Sequence, residues 1–122
     1  MKKNFNETSK AGAMVWFFQR ITAIILFVML LFHFVVYHFI SSGTPTYQEV
    51  VLKMKSPWFN VLQFLFLISA LYHGLNGVWM VVEDYFHSKF WRFFFFSLIV
   101  LVGVVLLFVG TLTIFKVANI QI

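Results

Sequence analysis

A phrase with chemical capability lies inside a long apolar run: SALYHGLNGVWMVVEDY, residues 69–85. Its histidine, His73, can bind a metal ion or a cofactor, and the phrase ends in two acids and a tyrosine. An ionisable side chain at membrane depth is costly and usually marks function. Five residues share one helical face, at intervals of four, four, three and four residues: Ser69, His73, Gly77, Met80 and Asp84.

This face has two interpretations. In the first, Gly77, one turn after His73, leaves a notch that admits a flat, bulky ligand close to the helix backbone, and Ser69, one turn before, helps to hold a ring nitrogen. In the second, the face only packs against another membrane helix, because Gly and Ser are common at such contacts. Spacing alone leaves both interpretations open.

A second phrase, WFFQRITAIILFVMLLFH, covers residues 16–33 and contains Arg20 and His33. His33 is thirteen residues past Arg20, roughly 20 Å along a helix, whereas His73 is roughly 14 Å from the acidic end of its own apolar segment. The two histidines therefore lie at different depths and would not clamp one metal ion. His33 has a packing alternative between helices, and Arg20 either meets ligand carboxylates or extends to the membrane surface.

The composition decides between cofactors. The chain has no cysteine, which excludes disulfides and thiolate metal sites. Haem suits neutral imidazoles in an apolar, cysteine-free bundle, whereas zinc needs a cluster of three or four ligands that the sequence does not provide.

The elements that position these residues are membrane helices. Of 122 residues, 61% are hydrophobic and 11% are charged, which is too apolar for a soluble domain of this size. Three apolar segments are long enough to span a bilayer, at about residues 14–40, 58–82 and 90–115. The segment at residues 47–54, between the first two spans, is predicted to form a short interfacial helix, and the connector after the second span is tight.

The fold class predicted is an all-α membrane protein, with residues 1–122 forming a single anchor domain and no cleaved signal peptide. The first two spans carry polar residues at membrane depth, so we expect them to pack with helices of a second chain. The third span, nearly pure Phe, Val, Leu and Ile, can face lipid all round. The net charge of +5 reflects basic residues at span ends, which predicts a cytoplasmic N-terminus rather than nucleic-acid binding.

Two phrases resemble those of the membrane anchor subunits of succinate dehydrogenase and fumarate reductase. HGLNGVWMVVEDY is similar to the family's HxxxGxxxxxxDY phrase, and QRITAIILFV resembles the R-x-T phrase of its first helix. The order of three spans, with a longer outer loop and a tight inner one, also matches. The resemblance covers residues 15–115.

The resemblance implies roles for individual residues. His73 matches the axial ligand of haem b in the small anchor subunit, whose partner histidine comes from the other anchor chain. Tyr85 matches the tyrosine that hydrogen-bonds a quinone carbonyl, and Asp84 lies at the edge of the same pocket. Arg20 matches a basic residue near the haem propionates and the quinone.

His33 indicates a second haem. In two-haem relatives a similar helix ends in a histidine eleven residues after the threonine, which is the spacing of Thr22 and His33. The resemblance thus implies two haems b per complex, with His73 on the proximal haem and His33 on the distal one. His38 is a competitor for the distal role, with a plain interfacial residue as its alternative.

The function implied is that of a membrane anchor in the inner (cytoplasmic) membrane. It would pass electrons from an iron–sulfur subunit to quinone, while a flavoprotein subunit oxidises succinate. A quinol:fumarate reductase anchor, a stand-alone cytochrome and a non-haem structural subunit are the alternatives. Glu83 or Asp84 either passes a proton to quinone or pairs with Lys89 or Arg92. His87 is a further proton-relay candidate beside its surface alternative.

Overall fold

The computed structural model describes residues 5–35, 38–39 and 44–120, and all its elements in these ranges are helices. In chain order they are α1 (Phe5–Val35), α2 (Tyr47–Met54), α3 (Pro57–Tyr85) and α4 (Lys89–Ala118). This architecture confirms the prediction of an all-α membrane protein.

Three of these helices are long and apolar enough to cross a membrane, over Gly12–Val35, Pro57–Tyr85 and Lys89–Ala118. Spans of 24, 29 and 30 residues rise about 36–45 Å, which exceeds a hydrocarbon core of about 30 Å. The predicted second and third spans lie inside α3 and α4. The first span begins at Gly12, two residues before the predicted start, inside a helix that begins at Phe5, and the predicted end at residue 40 lies outside the described residues.

The short helix α2 coincides with the predicted interfacial segment. Its first turn is held by a capping box, in which the Glu49 backbone N–H donates to Thr46 Oγ1 at 3.4 Å and the Thr46 N–H donates to Glu49 Oε2 at 3.0 Å. Val51 and Met54 are buried on the side of α2 that contacts α3 and α4. The loop between the first two spans is thereby tied to the ends of the other two.

The connection from α3 to α4 is as tight as the sequence predicts. The helix α3 ends where Phe86 takes an extended conformation with φ −108° and ψ 107°. At its other end α3 begins with a proline, whose missing N–H would have no partner in the first turn of a helix. Ser88 precedes the first turn of α4. Two antiparallel spans joined by so few residues must lie side by side.

The helices form a row with α3 in the middle. It contacts α1 on one side and α4 on the other, whereas α1 and α4 make no contact within the described ranges. The row has little interior: the buried apolar side chains are Val51, Met54, Val82 and Ile114. Most large apolar side chains therefore face lipid or another chain.

The expectation that the third span faces lipid all round is wrong, because two glycines of α4 pack against α3. A Cβ placed on Gly103 would lie 2.6 Å from Leu75 Cδ1, and one placed on Gly110 would lie 2.8 Å from both methyl carbons of Leu67. In a membrane no hydrophobic effect drives helices together, so their association depends on close packing. Small residues allow the helix backbones to approach closely. The seven-residue spacing of these glycines was the available signal.

The two glycines should respond differently to alanine. Leu75 presents one methyl group to Gly103 and can turn it away, whereas Leu67 presents both methyls to Gly110. We expect Gly110→Ala to lower the free energy of unfolding by about 1–2 kcal/mol, because overpacking exceeds the gain in helix propensity. Gly103→Ala, the matched control, should be close to neutral. Thermal unfolding of the detergent-purified protein measures both, and equal effects would contradict this account of the contact.

Candidate functional site

Polar side chains from α1 and α3 meet where the two helices pack. The amide Nε2 of Gln19 donates to the backbone carbonyl of His73 at 3.2 Å, and Asn76 Nδ2 donates to Gln19 Oε1 at 2.8 Å. The imidazole Nδ1 of His73 lies 3.4 Å from the Gln19 carbonyl oxygen and 3.5 Å from Thr22 Oγ1. His73 and Asn76 thus both join α3 to Gln19 of α1, and His73 also contacts Thr22.

The contacts of Nδ1 determine the tautomer of His73. The Thr22 hydroxyl lies 2.8 Å from the Phe18 carbonyl, its closest acceptor, and donates its single hydrogen there. Both groups near Nδ1, the hydroxyl oxygen and the Gln19 carbonyl, are therefore acceptors. The hydrogen-bond network thus assigns the proton to Nδ1 and leaves the lone pair on Nε2, as in many metal-ligating histidines.

A groove of about 380 Å³ lies beside this junction. Its walls come from α1 and α3: Gly12, Val15, Trp16, Gln19, Arg20, Ala23, His73 and Met80. The Arg20 guanidinium lies over the Trp16 ring, 5.6 Å from its centroid. The groove therefore combines an imidazole, a cation and an aromatic face, and it contains two of the predicted site residues, His73 and Arg20.

The predicted notch at Gly77 is covered by α1. A Cβ at Gly77 would lie 3.7 Å from Gln19 Nε2, an ordinary van der Waals distance, so the glycine faces the amide of the neighbouring helix. Gly74 instead opens away from the other described helices, since a Cβ added there would meet none of their atoms within 4 Å. Ser69 is 3% exposed, and the partners of Nδ1 are on α1. Roles for Ser69 and Gly77 at a cofactor remain predictions.

His33, on α1, lies at a different depth in the membrane from His73, on α3. Thr22 contacts the His73 ring, and His33 follows Thr22 by eleven residues, or about 16 Å of helix. His33 is exposed in the last turn of α1, and the ring of His38 stacks on Phe34 with centroids 4.4 Å apart. The described residues contain no group of three or more His, Cys, Asp or Glu side chains that could hold a metal ion.

The acidic end of α3 contains an ion pair. Arg92 Nη2 donates to Glu83 Oε1 at 2.6 Å, and its guanidinium lies 5.9 Å from the centre of the Trp79 ring. Of the two acids predicted either to pass a proton to quinone or to pair with a basic residue, Glu83 is the one that pairs with Arg92 of α4. Asp84 and Tyr85 are exposed beside it, with Tyr85 78% exposed.

The structure separates the predicted residues into two groups. His73 and Arg20 share the groove, whereas Tyr85 is twelve residues from His73 on the same helix, or about 18 Å away. Sequence reasoning missed Gln19 and Thr22 as the partners of His73, and Asn76 as the partner of Gln19. The signal that could have paired Gln19 with Asn76 was an amide in the first span and an amide three residues after His73 in the second.

Comparison with known proteins gives one family. Residues 4–112 match the family model described as the succinate dehydrogenase/fumarate reductase transmembrane subunit. Three similar proteins carry the name succinate dehydrogenase hydrophobic membrane anchor subunit. The one from Archaeoglobus fulgidus is 30% identical over 58% of this chain and 61% of its own length. That from Rickettsia bellii is 31% identical over 64% and 61%, and that from Thermoplasma acidophilum 31% over 64% and 64%. The matched part thus spans less than two thirds of these relatives.

The tautomer of His73 can be measured directly. In the chain expressed alone in micelles, ¹⁵N NMR of the neutral ring should show a protonated Nδ1 and an unprotonated Nε2. Thr22→Val removes one of the two acceptors at constant shape and should change the Nδ1 shift while the Gln19 carbonyl keeps the proton on Nδ1, whereas Thr22→Ser keeps the hydroxyl and should match the wild type. A wild-type ring protonated at Nε2 would contradict the assignment.

Proposed function

The chain belongs to the family of transmembrane subunits of succinate dehydrogenase and fumarate reductase, and from this membership we propose that it anchors a succinate:quinone oxidoreductase. It is a multi-pass membrane protein, which we place in the inner (cytoplasmic) membrane with a cytoplasmic N-terminus. Its proposed partners are a second anchor, an iron–sulfur subunit and a flavoprotein subunit that oxidises succinate. The chain contributes binding sites rather than the dicarboxylate chemistry.

The observation that carries this proposal is the state of His73. Its Nδ1 is 3.4 Å from the Gln19 carbonyl oxygen, so Nε2 is the nitrogen with a lone pair for an iron atom. We propose that His73 ligates haem b in the groove beside α1 and α3. A haem iron held by two imidazoles exchanges single electrons, which suits transfer between an iron–sulfur cluster and quinone.

The residues around His73 fit this cofactor. Gly12 and Ala23, two of its lining residues, are small and leave room for a planar ring system, and Arg20 lines the same groove. A guanidinium forms strong paired hydrogen bonds with carboxylates. Arg20 is therefore the proposed partner of a haem propionate, or of the quinone pocket, with the Trp16 ring at 5.6 Å limiting where the guanidinium can lie.

A second haem is proposed at His33. The His73 ring lies beside Thr22 of α1. His33 follows Thr22 by eleven residues, or about 16 Å of helix. This separation supports one histidine for each of two haems, His73 for the proximal and His33 for the distal one. The second anchor would supply a further histidine for each haem.

Quinone is proposed to bind near Tyr85 and Asp84. The phenol of Tyr85 is exposed at the end of α3 and can donate a hydrogen bond to a quinone carbonyl. Because Glu83 is paired with Arg92, Asp84 is the acid beside Tyr85 that can hold a proton for the reduced quinone. Reduction to quinol takes two electrons and two protons, which the iron–sulfur subunit and the aqueous surface would supply.

Histidine replacement tests the haem assignment. His73→Leu should remove one haem b signal from the visible spectrum and redox titration of the purified complex, because no other imidazole lies at its depth in α3. His33→Leu should remove only a second, separate signal, and His38→Leu should remove none. Loss of the distal signal in His38→Leu would reassign that ligand. Full retention of both signals in His73→Leu would contradict haem ligation.

The quinone assignment predicts a selective loss. Tyr85→Phe removes one hydrogen bond and should slow quinone reduction about tenfold, since such a bond is worth about 1–1.5 kcal/mol. Succinate oxidation with an artificial soluble acceptor should be nearly unchanged. Tyr47→Phe, on α2 next to the start of α3 and so at the opposite end of that helix from Tyr85, is the matched control. Equal losses in the two assays would indicate misassembly instead.

The alternatives differ in measurable ways. A complex without haem b absorbance would favour a structural subunit with packing histidines. A quinol:fumarate reductase shares this anchor, and the faster direction of turnover with succinate or fumarate distinguishes the two. We favour succinate oxidation because the relatives are named as succinate dehydrogenase subunits.

A further inference from the structure

We propose that Gln19 and Asn76 are positioning residues for His73, setting the orientation of its ring and the strength of its Nδ1 hydrogen bond. The function proposed above uses the backbone carbonyl of Gln19 but gives no role to the side chain of either residue. The inference rests on that function in one respect, because the ring is positioned for the haem iron.

Gln19 is bound to both ends of His73. Its backbone carbonyl oxygen is 3.4 Å from the ring Nδ1, and its side-chain Nε2 donates to the His73 backbone carbonyl at 3.2 Å. A contact at the ring and another at the backbone of the same residue leave the imidazole little freedom to turn. The side-chain contact therefore keeps the carbonyl of α1 opposite the ring nitrogen.

Asn76 acts through Gln19. Its Nδ2 donates to Gln19 Oε1 at 2.8 Å, the shortest of these interhelical hydrogen bonds. This bond orients the Gln19 amide so that Nε2 faces the His73 carbonyl. The described contacts of Asn76 are with Gln19 and with the sulfur of Met80 at 3.9 Å, not with His73. Its effect on the ring must therefore be indirect.

Gly77 makes the backbone contact accessible. In a helix, the side chain four residues later lies beside a given carbonyl, so residue 77 flanks the His73 carbonyl. With glycine there, Gln19 Nε2 reaches the carbonyl and lies 3.7 Å from where a Cβ would be. An alanine fits at that distance, whereas a longer side chain would push the amide away. The glycine predicted as a ligand notch thus serves Gln19.

The consequence for the cofactor is electronic as well as geometric. An acceptor at Nδ1 makes the imidazole a stronger electron donor through Nε2, which favours ferric iron. If the amide contact is lost, α1 can shift and the Nδ1 hydrogen bond weakens. Changes to such outer partners typically weaken metal binding about 10–100-fold.

The experiment uses the whole purified complex carrying Gln19→Leu, Asn76→Leu, the double variant or Gly77→Leu. Gln63→Leu, the same substitution on α3 ten residues before His73, is the matched control, and flavin content measures assembly. Readouts are the rate of haem loss to a soluble acceptor protein, the midpoint potential of the His73 haem and its low-spin electron paramagnetic resonance spectrum.

We expect Gln19→Leu to speed haem loss about tenfold, to raise the midpoint potential and to change the resonance spectrum. Gly77→Leu should reproduce these shifts with Gln19 intact. The double variant should be no worse than Gln19→Leu alone, because Asn76 acts through Gln19. If Gln19→Leu prevents assembly, the milder Gln19→Asn, which shortens the amide arm, decides by the same readouts.

Two failures are distinguishable. A wild-type complex without haem overturns the proposed function and this inference with it. A haem-containing complex in which the Gln19 variants shift the potential and spectrum no more than Gln63→Leu overturns only the positioning role. Additive losses in the double variant would overturn the order in which Asn76 acts through Gln19.

Discussion

The contact between α1 and α3 around His73 is the interaction on which the rest of the molecule depends. In a bilayer, polar groups have no water to bind and must find partners within protein. Gln19, Thr22, His73 and Asn76 satisfy one another across two helices, and in doing so they fix the relative position of the helices. The same bonds that remove the cost of burying polar groups therefore also orient the ring. Stability and ligand geometry share one set of contacts, which explains why so small a bundle can hold a defined site without an interior core.

The fold was largely predictable because a membrane helix can be recognised from one property of the sequence, the length of an apolar segment. Three apolar runs of sufficient length predicted the three spans. Prolines and a glycine predicted the connector between the first two spans, which contains α2. What composition could not provide was the arrangement of the spans. The Phe- and Val-rich α4 looked equally apolar on all sides, yet Gly103 and Gly110 receive Leu75 and Leu67 of α3. Hydropathy measures transfer into lipid, whereas close packing depends on shape, so a scale of the first kind cannot show the second.

The site was predicted in part, and the missing part lies between helices. Spacing along one chain placed Ser69, His73 and Gly77 on one face, but it could not say which face of α1 lies opposite. The ring nitrogen contacts α1 instead of a neighbour on its own helix, and Gly77 faces Gln19. Depth was the more reliable quantity, because helix rise per residue is nearly constant. That is why the separation of His33 from His73 followed from counting residues, while the partners of Nδ1 needed coordinates.

The row arrangement, with α3 between two helices that do not touch within the described ranges, also orders the events of membrane insertion. The helix α1 leaves the ribosome first, with the Gln19 amide lacking the partner that lies 54 residues later in the chain. At synthesis rates of about 5–20 residues per second, this interval is about 3–10 s. During it, the amide must stay hydrated or be shielded by the insertion machinery. The Gln19 amide can bond to His73 only once α3 has been made, whereas α4, which does not contact α1 within the described ranges, is not needed for that pairing.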